Sequence, residues 1–79
     1  METEYTHAEA VEFVDECEKR GIRILGMDFL RRDETGITPM DSADWGDLTP
    51  EESWRESRRL LQHGIPDGGN VVIFVLDEP

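Results

Sequence analysis

Residues 49–76 have the sequence TPEESWRESRRLLQHGIPDGGNVVIFVL, which contains a helix start, a turn and a strand in succession. Thr49 is a favoured N-cap residue, Pro50 suits the first helical position, and Glu52 completes a capping box. These signals predict a helix over residues 50 to about 63. The narrow apolar face of this helix consists of Trp54, Ser57, Leu60 and Leu61.

The remainder of the same stretch predicts the last strand. Gly64 ends the helix, and residues 65–70, IPDGGN, have the composition of a turn. Six consecutive apolar residues follow at positions 71–76, several of them β-branched. An apolar run of this length indicates a central strand that is covered on at least part of both faces.

Another helix is predicted upstream, over residues 7–20. Thr6 and Glu9 form a capping box at its start, and Gly21 suits the left-handed conformation just beyond its end. The apolar stripe that faces the core contains Ala10, Val14 and Cys17, with Val11 and Phe13 beside them.

Two strands are predicted between the helices. Residues 22–30 are rich in Ile, Leu, Met and Phe and favour a strand, in which Gly26 marks a bulge or a close approach of the backbone. Residues 33–36, DETG, favour a turn, after which residues 37–40 can pair back as a hairpin. Pro39 places that second strand at an edge of the sheet.

Residues 41–48, DSADWGDL, follow neither periodicity and are predicted to form a loop. The order α-β-β-α-β predicts one α+β domain over residues 1–79, with a three-stranded, mainly antiparallel sheet and two helices on one face. The last strand is then apolar on a face that neither helix covers. The loop with Trp45, a second copy of the chain or a functional partner are the three candidates to cover it.

Charge is the most informative feature of the composition. The chain has 19 acidic and 8 basic residues and a net charge of −11. Residues 1–18 and 33–54 contain seven acids each and no base, whereas residues 19–32 contain five bases and one acid. Because binding to nucleic acid or to an anionic membrane needs clustered Lys and Arg, direct contact with either is disfavoured. A basic protein is the expected partner, whether the chain is a monomer or a homodimer.

Enzymatic features are missing from the sequence. It contains no G-x-S-x-G, Walker or zinc-binding pattern, and we expect neither a catalytic residue nor a cofactor. Cys17 has no positive group near it to activate the thiol and is expected to be an inert core residue. His63 suits a helix C-terminus, and His7 is expected to be solvated. A single cysteine, the lack of a long apolar run and an acidic N-terminus favour the cytoplasm.

Three aspartates of the predicted loop, Asp41, Asp44 and Asp47, raise the question of a calcium site. An EF-hand loop places acidic ligands at alternate positions, followed by a glycine and a later bidentate glutamate. The spacing in DSADWGD does not fit that register. No metal site is therefore predicted.

The first helix has an acidic face. Glu9, Glu12 and Glu16 lie at helical spacing, with Asp15 and Glu18 beside them and no lysine between them. Like charges at this spacing cost roughly 0.2–0.5 kcal/mol per pair. Successive carboxylates are ~4–6 Å apart along the helix axis, close to the spacing of phosphates on a nucleic-acid strand. This face predicts either a mimic of a phosphate row or a merely solvated acidic surface.

A second candidate surface combines aromatic and acidic side chains. An aromatic anchor surrounded by carboxylates is typical of interfaces with arginine-rich sites. Trp45 is either such an anchor or a core residue, whereas the helical register of Trp54 favours the core. The acids around the anchor are Asp41, Asp44, Asp47, Glu51 and Glu52.

The chain resembles the small acidic immunity proteins of bacterial polymorphic-toxin systems in the segments FVDECEKRGIRILGMDFL, DSADW, ESWRESRRLLQ and NVVIFVLDE. Its size and charge also resemble those of phage anti-CRISPR and anti-restriction proteins. The first resemblance implies occlusion of a cognate toxin, often a nuclease, and the second implies inhibition that in some cases uses DNA mimicry.

These observations together predict a non-enzymatic inhibitor. It is expected to bind and block a positively charged, nucleic-acid-binding surface of a nuclease or a CRISPR effector. One alternative is an immunity protein that neutralises a cognate bacterial toxin. Another is a structural or adaptor module that dimerises through the apolar face of its sheet.

Overall fold

The computed structural model describes residues 3–77, and its elements follow the order α-β-β-α-β. Helices α1 (His7–Arg20) and α2 (Pro50–Leu60) pack on one face of a three-stranded antiparallel sheet. The predicted α+β fold class is therefore confirmed. The strands, whose spatial order is β2-β1-β3, are β1 (Arg23–Asp33), β2 (Gly36–Asp44) and β3 (Val71–Asp77).

Both ends of α1 lie at the predicted residues. Thr6 Oγ1 accepts a hydrogen bond from the Glu9 backbone N–H, and the Glu9 carboxylate accepts one from the Thr6 backbone N–H. Gly21 follows the helix with φ 69°, a left-handed conformation that costs glycine little. The helix matches its prediction because local sequence signals specify both of its ends. Its buried residues are the predicted Ala10, Val14 and Cys17.

The second helix begins at its predicted capping box but ends earlier than predicted. Its last residue is Leu60, and the backbone leaves the helix at Leu61, which has φ −92° and ψ 4°. The Leu61 side chain is buried in the core, and its carbonyl accepts a hydrogen bond from His7 Nε2 at 2.5 Å. Tertiary contacts therefore end α2 before Gly64. The expectation that His7 is solvated is wrong, because this ring joins the start of α1 to the end of α2.

The central strand of the sheet is β1, and both other strands lie at edges. The prediction that residues 71–76 form a central strand is therefore wrong. Edge position was predicted correctly for β2, which contains Pro39. However, β2 continues to Asp44, so residues 41–44 are strand and not loop. Pairing with the long β1 strand satisfies their backbone groups, although their own sequence has no strand periodicity.

Two bulges determine which side chains share a face. Leu25 is the extra residue of β1 opposite β3, and Met40 is the extra residue of β2 opposite β1. A Cβ atom on Gly26 would overlap the backbone oxygen of Ala43, so the close approach predicted at this glycine is confirmed. The core on the helix-covered face consists of Ala10, Val14, Cys17, Ile24, Met27, Phe29, Trp54, Leu61 and Val72.

Hydrogen bonds fix α2 against the start of β1. The Ile24 backbone N–H donates to Ser53 Oγ at 3.2 Å, and Trp54 Nε1 donates to the Ile22 carbonyl at 2.8 Å. Ser57 Oγ donates to the Ser53 carbonyl at 2.7 Å. The two buried serines therefore have partners, and Trp54 lies in the core as its helical register predicted.

Candidate protein-binding surfaces

The predicted acidic face of α1 is a continuous surface in the structure. Glu9, Glu12 and Glu16 are exposed and line one shallow depression together with Tyr5 and Phe13. The depression has a volume of about 350 Å³. We name these five residues the acidic ridge. It presents negative charge beside aromatic surface, a combination that suits a cation with an apolar stem.

The three carboxylates of the acidic ridge have different surroundings. Glu9 is held by the helix cap, and Glu16 Oε1 accepts a hydrogen bond from Arg20 Nε at 3.0 Å. The exposed Glu16–Arg20 pair contributes only about 0.3–0.5 kcal/mol. Glu12 has no hydrogen-bond or ion-pair partner within residues 3–77. Glu12 is thus the ridge carboxylate most available to a cation of another molecule.

The two aromatic residues of the ridge pack against each other and against β3. The ring of Phe13 lies 4.7 Å from that of Tyr5 and 4.7 Å from that of Phe74, between ring centroids. Tyr5 is held in place because its backbone exchanges two hydrogen bonds, of 2.9 and 2.8 Å, with Val72 of β3. Sequence reasoning missed this contact, since a single bridge between residue 5 and the last strand has no local signal.

Asp15 and Glu18 do not belong to the acidic ridge. Both carboxylates accept hydrogen bonds from Arg58 Nη2 of α2, at 2.8 and 2.5 Å. The hydrogen bond to Asp15, followed by the contact with Glu18, raises the pKa of Arg58 above its usual value. Asp15 was predicted to bind a partner, and the structure places it in this pairing between the two helices.

The acids of the second predicted surface lie on β2 and the turn that follows it. Asp44 Oδ1 accepts a hydrogen bond from the Gly46 backbone N–H at 3.1 Å and shapes this turn. Asp47 is exposed and has no hydrogen-bond or ion-pair partner among the described residues. Asp41 Oδ1 accepts a hydrogen bond from the Ser42 backbone N–H at 2.8 Å. These three side chains thus occupy one edge of the sheet.

A like-charge contact distinguishes Asp41 from its neighbours. Its carboxyl group interacts with that of Asp67, in the 3₁₀ turn Pro66–Gly68, and this interaction raises the pKa of Asp67 above its usual value. Asp67 also has a left-handed backbone with φ 59°, a conformation that aspartate tolerates better than most residues. The pair concentrates negative charge on the outer side of β2.

The tryptophan of the second surface is not a free anchor. Trp45 is half-buried and packs against the core, and its backbone N–H donates to the Leu25 carbonyl at 2.7 Å. Glu52 completes the α2 capping box, and the hydrogen bonds from Thr49 hold the pKa of Glu52 below its usual value. Glu51 is exposed beside the same helix start. Part of the Trp45 ring and Glu51 remain accessible to a partner.

The two predicted acidic surfaces lie toward opposite edges of the sheet. The helix α1 packs on α2, β1 and β3, and its ridge lies beside the β3 edge with Tyr5 and Phe74. The acids of β2 lie on the other edge strand. They therefore form two separate negative patches.

A third surface, which sequence reasoning did not resolve, is the side of the sheet opposite the helices. Three cross-strand rows form it, and we name it the open face. The central strand contributes Gly26, Asp28 and Leu30. From β2 to β3 the rows are Asp44, Gly26 and Val75; Ser42, Asp28 and Ile73; and Pro39, Leu30 and Val71.

Most of the positive charge is engaged within the molecule. Five arginines form ion pairs with carboxylates between residues 3 and 77. Within that range, Glu9 and Glu12 of α1, both aspartates of β2, and Glu51 and Glu52 at the start of α2 have no ion-pair partner. The pairs are Arg20–Glu16, Arg23–Asp77, Arg32–Glu4, Arg59–Glu56, and Arg58 with both Asp15 and Glu18.

No protein-family model, curated protein or solved structure matches the chain. Across the described part of the chain, no three His, Cys, Asp or Glu side chains stand close enough together to hold a metal ion. None of the helices within residues 3–77 has the length and apolar character needed to cross a membrane. The surfaces described above are therefore the basis for a functional proposal.

Proposed function

We propose that the protein is a non-enzymatic inhibitor that occupies a positively charged, nucleic-acid-binding surface of another protein in the cytoplasm. One observation supports this function above the others. Arginine side chains are engaged in internal ion pairs, while the acidic ridge leaves Glu12 unpaired beside two half-buried aromatic rings. A surface with this charge attracts clustered Lys and Arg.

The spacing of the ridge fits such a target. Glu9, Glu12 and Glu16 extend over roughly 10 Å of helix axis at 1.5 Å per residue. Cations that contact successive phosphates are separated by comparable distances. The three ridge glutamates stand on a regular helix, so the backbone that carries them needs little reordering when they bind. A nuclease or a CRISPR effector presents such a row of cations where it holds its nucleic acid.

A cognate toxin with a nuclease fold would offer the same chemistry. An immunity protein and a phage inhibitor would then use the same ridge against different enzymes. The neighbouring genes distinguish these two cases, because a toxin gene lies beside its immunity gene and phage inhibitors lie in mobile elements.

Two triple variants test the proposed function. Glu9→Gln with Glu12→Gln and Glu16→Gln neutralises the ridge and keeps the capping box, since glutamine also serves at that position. Asp41→Asn with Asp44→Asn and Asp47→Asn removes the same number of charges from the other patch. Each variant, with the wild type, is used as bait in extracts of the source cell, and the recovered protein is then purified.

We expect the ridge variant to lose the target and the β2 variant to keep most of it. The purified target should also release its nucleic acid when the wild-type protein is added. If both triple variants capture the target as well as the wild type does, or if nucleic acid and inhibitor bind together, the proposed function is wrong.

A further inference from the structure

The open face is largely apolar along β1 and β3, and no helix of the described chain covers it. Val75 is 44% exposed and Met40, next to Pro39, is 40% exposed. Val71 and Ile73 are half-buried. Trp45 packs against the core on the other side of the sheet, so the segment that contains it, one of the three candidates to cover this face, does not cover it. An exposed apolar face on a sheet is typical of a binding site.

A single carboxylate lies at the centre of this apolar face. Asp28 is on the central strand, between Ser42 and Ile73, and is half-buried. It has no hydrogen-bond or ion-pair partner within residues 3–77. The arginines on the same strand are already engaged, because Arg23 pairs with Asp77, Arg32 pairs with Glu4, and Arg31 donates a hydrogen bond to the Gly68 carbonyl.

Two hollows meet at this carboxylate. One, of about 380 Å³, is lined by Asp28, Leu30, Pro39, Met40, Asp41 and Ser42. The other, of about 420 Å³, lies where Gly26 has no side chain and extends between Asp44 and Val75. Asp28 and Ser42 line both hollows. The open face thus offers apolar walls, a central negative charge and further carboxylates at its β2 side.

Charge decides which occupant fits. A second copy of this chain, docked about a two-fold axis on the same face, would place Asp28 near its own counterpart and would bring together two chains of −11 each. Like charges in a desolvated interface are strongly unfavourable. An acidic partner is excluded for the same reason. A partner segment with apolar residues around one cation satisfies both the apolar walls and the unpaired carboxylate.

We propose that the open face docks a segment of a partner protein in which an arginine, flanked by apolar residues, pairs with Asp28. Arginine fits better than lysine because its planar head group can form two hydrogen bonds to one carboxylate. Its aliphatic stem lies along the apolar walls beside Leu30 and Val75. This inference takes from the proposed function only that the partner is basic, and it assigns that partner a second contact on the side of the sheet away from the helices.

A synthetic peptide provides the probe. It contains one arginine flanked on each side by valine and leucine, with serine tails for solubility, and its counterpart has citrulline in place of arginine. Citrulline keeps the shape of the side chain and removes its charge. Binding is measured by titration calorimetry, and the contact surface is mapped from amide shifts in ¹⁵N NMR spectra. Sedimentation of the free protein reports its oligomeric state.

The expected footprint comprises the open-face residues of all three strands. The wild type should bind the arginine peptide about tenfold more tightly than the citrulline peptide. Asp28→Asn should abolish this preference, and Glu34→Gln, which removes an exposed carboxylate in the hairpin turn, should leave it unchanged. Val75→Ser should weaken both peptides equally, because it removes apolar contact and not charge.

Three results would overturn the inference. The first is a footprint confined to α1, the second is an arginine preference that survives in Asp28→Asn, and the third is a dimer of the free protein that buries the open face. These results are separable from the proposed function. Loss of target binding in the ridge variant with a peptide footprint on α1 supports the inhibitor and refutes the open-face contact. Unchanged target binding in the ridge variant, together with a peptide contact that depends on Asp28, refutes the proposed role of the ridge and supports the open-face contact.

Discussion

The same strands present two very different faces. On the side of the helices, Ile24 and Val72 are fully buried. On the other side, three residues away on the same strand as Val72, Val75 is 44% exposed. Both faces are apolar, but only one of them is needed to hold the helices. The comparison teaches that the apolar run of β3 serves stability through its even-numbered residues and is free to serve binding through its odd-numbered ones.

The largest effect is expected at Gly26, which follows the Leu25 bulge in the central strand. Gly26→Ala would place a Cβ atom on the Ala43 backbone oxygen, which cannot move without breaking the pairing of β1 with β2. We expect a loss of about 3 kcal/mol in the free energy of unfolding, measured by urea denaturation. Gly46→Ala is the matched control. Its Cβ would meet only the Asp44 carboxylate at an ordinary 3.5 Å, and its cost should stay within about 0.5 kcal/mol.

A pair of identical substitutions on β3 tests the comparison of faces directly. Val72→Ala removes methyl groups from the core and should lower the free energy of unfolding by about 2 kcal/mol. Val75→Ala, on the open face, should lower it by less than about 0.5 kcal/mol. Thermal and urea unfolding of the two variants provide the measurement. Equal losses would show that the open face is covered in the free protein.

The sequence predicted those features of the molecule that neighbouring residues specify, and it missed those that depend on contacts between distant residues. The start and end of α1 were predicted because Thr6, Glu9 and Gly21 specify them locally. The edge position of β3 was not predicted, because an apolar run indicates what covers the two faces of a strand and not whether other strands pair with both of its edges. The three glutamates of the acidic ridge could be predicted from helical spacing alone, whereas the position of Tyr5 beside them could not.

The uncovered apolar face was predicted, but the position of Asp28 on it was beyond the sequence for a geometrical reason. Asp28 lies among apolar residues only because Leu25 and Met40 form bulges that shift the register on either side of it. One bulge fewer would move the neighbouring side chains to the other face. The contact of His7 with Leu61 was also hidden, since it joins residues 54 positions apart in the sequence.

The smallest effect concerns the pKa of Asp67, whose carboxyl group interacts with Asp41 of the edge strand β2. Asp41 lies opposite Phe29 on the helix side of the sheet, yet it is exposed and contacts Asp67. Because the pKa of Asp67 is raised, its contribution favours folding below its ordinary pKa and is lost as the pH rises through the raised value. Asp41→Asn should therefore lower the pKa of Asp67 and slightly increase stability at neutral pH.

Carboxyl-carbon NMR titration of Asp67 measures this change. Asp47→Asn, which removes an aspartate that does not influence the pKa of Asp67, is the control and should leave the titration unaltered. An Asp67 pKa that stays raised in Asp41→Asn would show that burial, and not the neighbouring carboxyl group, is its cause.

The central claim is that a cationic surface of another protein recognises the acidic ridge. Its most direct test is the affinity for the captured target at about 50 and about 200 mM salt, for the wild type and for Glu9→Gln with Glu12→Gln and Glu16→Gln. We predict that the wild-type affinity falls several-fold across this range, and that the variant binds weakly at both concentrations with little further loss. Equal salt dependence of the two proteins, or wild-type binding that is indifferent to salt, would contradict the claim.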